Sequence, residues 1–503
     1  MNLVIAHHHL NRGGVTRVIA GHLQSLAESD SAPQRVLIVY GGRHEGWPPE
    51  IEQRLKALKI ERVVVPSLDY NDDPAVNAVP LAQAFESELT ARGLEPGNTL
   101  LHVHNHSLGK NVAWPGALKH LSERDWPLLL QIHDFAEDFR PKNYGLLQQA
   151  LGESMGPVNY LQGSKVHYAV LNRRDETALV DAGVNRQRLH FLPNPVPAPP
   201  ALPNRAAARH KLMDRCGIDL DRRYLLYPVR GIRRKNLGEA VLLSLLMPGD
   251  PVVGITLVPL NPMEKPFHDA WRAFAERIDL PVRFGVGESD GLTFEENLAA
   301  CDACLTTSVA EGFGMAFLEP WLLGKPLLGR NLPEITADFV DAGVNLDGLY
   351  SSLQIPLDWL DEKELAAEFR ASAEELLKTY NRRPDQAADV AFDGKTTGGT
   401  IDFADLSERS QMSVIETVAQ NPTAKSKLLA LNSALSAESD AATVHSNADV
   451  VRHEFSTLAC GKRLVSIYQK VIDDRGENRG EVDPRTLLDR FLDLERFRLI
   501  RGN

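Results

Sequence analysis

The chain has 503 residues, 43% hydrophobic and 24% charged, with 67 acidic against 55 basic side chains and a formal net charge of −12. That length exceeds one ordinary core and asks for two domains with additions; the acidic balance argues against a nucleic-acid partner, whose phosphates reward a basic face. The opening MNLVIAHHHL lacks the basic flank and long apolar run of a signal peptide, no stretch approaches the ~20 apolar residues of a membrane span, and the four cysteines suit a reducing compartment. The expectation is a cytoplasmic protein without a transmembrane segment, with self-association left open.

In chain order, strand-like runs at 3–6, 35–39, 62–65, 100–103, 128–132 and 166–171 alternate with helix-like stretches such as 15–27 and 49–58. Such alternation predicts a parallel sheet with helices on both faces. Between residues 193 and 203 six of eleven positions are proline, which disfavours regular structure and marks a domain boundary. A second series follows, with strands at 224–229, 252–258, 282–286, 303–307 and 326–328. The pattern gives an α/β protein of two doubly wound, Rossmann-like domains facing each other across a cleft, with ligand sites at the carboxyl ends of their strands. Beyond about Arg382 the sheet pattern stops; helical spacing appears at 405–419 and 449–472, with a loop-like patch at 393–400. The domains read as 1–200, 201–382, a helical and loop addition at 383–448, and a final segment at 449–503.

Residues 308–319, SVAEGFGMAFLE, set Glu311 and Glu319 eight positions apart around Gly312, Phe313 and Gly314, directly after a strand. A helix is expected from about Gly314; its free N–H groups would receive a diphosphate, with the two carboxylates roughly 12 Å apart along the chain to meet the hydroxyls of a sugar and a ribose. This segment, continued by Gly324-Lys325-Pro326 and Pro333-Glu334, resembles the donor-site signature of the retaining GT-B glycosyltransferases of glycosyltransferase family 4. Three further segments resemble that family in the same order: LNRGGVTRV at 10–18, FLPNPV at 191–196 and VRGIRRKN at 229–236. The chain departs from the family at Pro195, where a glycine is usual. The resemblance implies a GT-B architecture, a nucleotide-diphospho-sugar donor (UDP, GDP or ADP) bound by the second domain, an acceptor bound by the first, and a late helix, here 449–472, crossing back to the first domain.

Sugar transfer develops negative charge on the departing diphosphate, so catalysis needs cations there. Arg230 and Lys235, just past a strand, suit that role, a guanidinium gripping two oxygens and an ammonium supplying a point charge. His133 closes the run 128–132 and opens onto the cleft, where the resemblance implies contact with the transferred sugar. Gly13 and Gly14 let backbone approach a phosphate or sugar at a helix start; they do not form the dinucleotide fingerprint, which disfavours a nicotinamide. Arg17 is carried over from the family toward the acceptor. Ser107 and Lys110 in HNHSLGKN, and Arg140 and Lys142 in EDFRPKNY, suggest an acceptor that is small, polar and anionic. The candidates are thus catalytic Arg230, Lys235, Glu311 and His133; donor-binding Gly13, Gly14, Gly312, Phe313, Gly314 and Glu319; and acceptor-binding Arg17, Ser107, Lys110, Arg140 and Lys142. No cofactor and no metal are expected: Cys301 and Cys304 lack a second cysteine pair, His7, His8 and His9 lack carboxylates at ligand spacing, and Asp219 and Asp221 sit in a polar turn. The competing readings are a sugar-nucleotide epimerase and a non-catalytic nucleotide-sugar-binding protein.

Overall fold

The computed structural model describes residues 1–48, 50–384, 386–437, 439–477 and 480–501. The chain divides into two units, Met1–Pro197 with His453–Asp493, and Ala198–Arg452 with the residues from Leu494 onward. Among the described residues the first unit is built on a parallel sheet of seven strands: β1 (Asn2–Ala6), β2 (Arg35–Tyr40), β3 (Ile60–Val64), β4 (Thr99–His104), β5 (Leu128–Ile132), β6 (Val166–Val170) and β7 (Leu189–Phe191). Their order is β3-β2-β1-β4-β5-β6-β7. β4 and β5 are buried at every position, as strands covered on both faces must be. Successive side chains enter opposite cores: Val4, Ala6, Leu101 and Leu128 join one, and Leu3, Ile5, Leu100 and Leu129 the other. The second core also takes Ile19 and Leu23 from the helix Gly14–Ala27, and Leu464 and Tyr468 from the helix Thr457–Asp473. These two helices cross closely at Gly461, where a Cβ would stand 2.3 Å from the Ser25 carbonyl oxygen.

In the second unit the described residues form a five-stranded parallel sheet of β8 (Tyr224–Arg230), β9 (Val252–Leu257), β10 (Val282–Phe284), β11 (Ala303–Thr306) and β12 (Leu327–Gly329), ordered β10-β9-β8-β11-β12. Each sheet reverses its winding once, between β1 and β4 and between β8 and β11, and the carboxyl ends of those strands are where such sheets bind ligands.

Several expectations need correcting. Strand structure does not stop at residue 382: β13 (Gln354–Pro356) pairs antiparallel with β14 (Thr400–Asp402), which begins at the last residue of the patch read as loop. β7 was also missed, because three-residue strands are too short to show a period. The stretch 49–58 is a short helix, Ile51–Arg54, and a 3₁₀ turn, Lys56–Leu58; its first residue, Pro49, lies outside the described residues. The stretch 449–472 is broken into Ala441–Glu454 and Thr457–Asp473, because Ser456 takes an extended conformation and its Oγ accepts from the Ala459 N–H at 3.3 Å, capping the second helix. No helix among the described residues is long and apolar enough to cross a membrane.

Candidate functional site

In the second unit, β8 is followed by a single 3₁₀ turn, Arg233–Lys235, closed by Asn236 in the left-handed region at φ 47°. Backbone and hydroxyl groups tie that turn to the segment after β11. Val309 N–H donates to the Arg234 carbonyl at 2.9 Å; Thr307 Oγ1 donates to the Lys235 carbonyl at 2.9 Å, and the Tyr227 hydroxyl donates to the same carbonyl at 2.8 Å. This knitting delivers Glu311 to two cations. Its Oε1 contacts Lys235 Nζ, and its Oε2 accepts from Arg234 at 2.7 Å.

The Glu311 and Lys235 side chains are only 9% and 12% exposed, so the pair is largely shielded from water. Burial pushes the Glu311 carboxyl up, but Lys235 and then Arg234 outweigh it and hold the group at about 2. Burial draws the Lys235 ammonium below its ordinary value against the pull of Glu311. With its carboxylate held this low, the pair is ionic at neutral pH.

Arg230, expected to meet the diphosphate, is half-buried at the end of β8 and donates to the Val258 carbonyl at 3.3 Å, while the guanidinium that reaches Glu311 is that of Arg234. Arg234 had no distinguishing signal, being one of three consecutive basic residues. The expected helix from Gly314 does not form. A 3₁₀ turn, Met315–Phe317, precedes a four-residue helix, Glu319–Leu322, because Pro320 has no N–H with which to continue an i→i−4 ladder. Glu319 therefore begins the short helix, half-buried, rather than standing two turns inside a long one. Gly314 lies at φ +90°, and a Cβ there would meet the Phe317 ring at 2.9 Å. Phe313 is buried edge-on against Phe339, while Glu311 and Gly312 are half-buried.

At the first unit's reversal point the sheet ends in imidazoles: His7 to His9 after β1, His104 at the end of β4 and His133 after β5. Asn105, in the left-handed region at φ 59°, accepts the N–H groups of His133 and Asp134 on its Oδ1, both at 3.1 Å, and so sets the loop after β5. His133 is buried and its Nε2 shares a 2.9 Å hydrogen bond with His104 Nδ1; burial lowers its pKa to about 4.

His22, His102 and His104 place ring nitrogens within 4.8 Å of one another. These rings stack, at 21° between His22 and His102 and 26° between His102 and His104. His102 also has both nitrogens engaged, Nε2 donating to Gln131 Oε1 at 2.9 Å and Nδ1 accepting from the Tyr468 hydroxyl at 2.8 Å.

Around this point lie the other candidates. Gly13 is extended at φ −178° and caps the helix Gly14–Ala27 without a side-chain bond; a Cβ on Gly14 would meet nothing within 4 Å, so the fold itself does not require these glycines. Arg17 is exposed. Lys110 is half-buried with its Nζ 5.4 Å from the centre of the Tyr70 ring, and Arg43 lies over the same ring at 4.8 Å. Burial, then the neighbouring Arg140 and Lys142, lower the Lys110 pKa, so three cations converge here. Arg140 is paired with Asp134, and Arg43 with Asp69. Ser107, read as an acceptor contact, is fully buried, as is Asn111, whose Nδ2 donates to the Ser67 and Asp69 carbonyls. Arg43, Tyr70 and His9, whose Nε2 is 2.9 Å from the Tyr70 hydroxyl, were missed, because only the sheet order brings them beside Lys110.

No family model matches the chain. A relative, mannosylglucosyl-3-phosphoglycerate synthase of Petrotoga mobilis, is 27% identical over 355 residues, covering 67% of this chain and 66%, just under two thirds, of that protein. Among solved structures, sucrose-phosphate synthase from Thermosynechococcus elongatus matches with a TM-score of 0.54 at 13% identity, over 94% of this chain and 99% of that one. A glycosyltransferase from Rickettsia africae matches with a TM-score of 0.52 at 12% identity, over 94% and 98%. Anabaena HepE, solved with UDP and glucose, matches with a TM-score of 0.50 at 12% identity, over 93% and 99%. The relative and these structural neighbours are glycosyltransferases, and the fold of this chain is the GT-B fold.

Proposed function

We propose that this protein is a retaining glycosyltransferase that moves a sugar from a nucleotide-diphospho-sugar to a small anionic acceptor. The observation that carries the reading is the convergence of Lys235, Arg234 and Glu311 at the β8/β11 reversal point. A diphosphate leaving group gains charge as the glycosidic bond to it breaks, and fixed cations in a shielded turn stabilise that charge without reorganising. Lys235 and Arg234 supply it, with Arg230 at the mouth of β8; Glu311 holds both cations in place and faces the sugar, and Glu319 accepts from the ribose hydroxyls. Gly13 and Gly14 leave the first N–H groups of a 14-residue helix open to a phosphate or sugar oxygen. His133 serves as a neutral imidazole toward the transferred sugar. The chain's own cations do the work a divalent metal does elsewhere, so no metal is required.

The acceptor reading rests on Lys110, Arg140 and Lys142, joined by Arg43 over Tyr70, and it agrees with the name of the relative, whose product carries a phosphoglycerate group. The test is transfer from UDP-, GDP- and ADP-sugars to 3-phosphoglycerate, glycerate, sugar phosphates and neutral sugars, with the product anomer read by NMR. Nucleoside diphosphate release coupled to retained configuration on an anionic acceptor is expected. Isomerised donor without acceptor would instead indicate an epimerase, and binding with no turnover on any pair a non-catalytic protein. Transfer to neutral sugars alone, unaffected by Lys110→Ala, would rule out the acceptor class.

A further inference from the structure

The segment beyond residue 382 has no counterpart in the donor motif, yet one of its helices reaches the cationic turn. Gln411, in the helix Glu408–Gln420, is fully buried and its Nε2 donates to Asn236 Oδ1 and to the Phe403 carbonyl, both at 3.0 Å. Asn236 directly follows Lys235 and holds the left-handed conformation that ends the Arg233–Lys235 turn; its Nδ2 donates to Glu239 Oε2 at 2.7 Å. Glu239 continues to Arg330, which forks onto Asp402 at 2.8 and 2.7 Å, so the network leaves the segment at Gln411 and re-enters it at Asp402.

The other end of the turn is gripped too. Arg233 lies 3.5 Å from Glu408 on the same helix, and its N–H donates to Glu264 at 3.0 Å. Space is tight: a Cβ on Gly238 would stand 2.3 Å from Gln411 Oε1 and 2.5 Å from the Trp271 ring. A residue with positive φ is restrained only while its surroundings over-determine it, and here the restraint is a buried amide from the added segment.

We infer that Gln411 is a positioning residue for the donor site: through Asn236 it fixes the turn that presents Lys235 to the diphosphate. The inference rests on the donor reading above. Gln411→Met keeps the side-chain volume but cannot donate, so Asn236 Oδ1 and the Phe403 carbonyl lose their shared donor. Calorimetry with UDP, GDP and ADP is the readout, on the full chain. Gln411→Met should raise the Kd of the preferred diphosphate about tenfold, whereas in a Lys235→Ala background the same change should cost less than about twofold, because a residue that acts through Lys235 has nothing left to position.

Val418→Ala, a buried change on the same helix away from the turn, is the control for mere loss of stability, and should lower the melting temperature without moving Kd. Unchanged Kd in Gln411→Met, losses that multiply in the double variant, or an equal loss in Val418→Ala would each overturn the positioning role. Failure of the unaltered protein to bind any of the three nucleotides would instead overturn the donor reading, and this inference with it.

Discussion

The two reversal points share a strand order and differ in chemistry. At β1/β4 the sheet ends in stacked imidazoles that burial keeps neutral, with His133 held at about 4 and His102 at about 3. At β8/β11 it ends in a buried ion pair with the Glu311 carboxyl at about 2. Winding decides where a site opens, whereas the residues just past the strands decide whether it meets a ligand with charge or with neutral hydrogen-bonding rings. The charged end suits a leaving diphosphate, and the neutral end suits sugar hydroxyls.

The hardest blow to the charged end is Lys235→Ala. It should lower kcat on the order of a hundredfold, by analogy with removing one preorganised donor to a developing anion, and weaken ground-state binding less. Steady-state kinetics with a near-normal kcat and only a raised KM would show that Lys235 merely binds substrate.

The next prediction separates the two carboxylates within that end. Glu319→Ala should cost about 1.5 to 3 kcal/mol of affinity for the bare nucleoside diphosphate, the worth of a hydrogen bond to a charged group. Glu311→Ala should chiefly lower turnover, because in the proposed reading its carboxylate faces the transferred sugar and not the diphosphate. Calorimetry showing equal affinity losses in both variants would refute the division of roles.

Acid sharpens the contrast between the units. His133 titrates near 6.5 when unfolded and at about 4 when folded, so its contribution is complete above pH 6.5 and is lost as pH falls toward 4. At pH 5.5 the loss is about 1.4 kcal/mol for such an imidazole. Glu311, shifted from 4.5 to about 2, retains its contribution until the pH drops below 4.5. Hydrogen exchange should therefore show β4 and β5 losing protection between pH 7.5 and 5.5 while β8 and β11 keep theirs, and His133→Gln should blunt the loss. Equal loss in both sheets would break the comparison.

The smallest expected effect is none at all. Transfer activity should be unchanged by EDTA, since Lys235, Arg234 and Arg230 provide the positive charge. Inactivation by chelator with recovery on adding Mg²⁺ or Mn²⁺ would show that the charged end needs a cation after all.

How far the site was legible depended on distance along the chain. Glu311, Gly312, Phe313 and Gly314 form one contiguous run and could be read directly, as could the long apolar runs of β5 and β8. Arg234 could not be preferred over Arg230 or Arg233, because the choice depends on the Val309 to Arg234 hydrogen bond and on the twist of a 3₁₀ turn. Nor could Gln411 be connected to Asn236, 175 positions earlier.

Strand and helix followed from the sequence because burial imposes a period on neighbouring residues, and that period is written locally. The sequence also determined that Glu311, Lys235 and His133 would each stand just beyond a strand end. That Glu311 meets Lys235 across 76 positions, and that His133 is hydrogen-bonded to His104, was decided only by the tertiary structure. Those pairs exist because β11 lies beside β8 and β5 beside β4, and strand order is a choice among packings of the same local patterns.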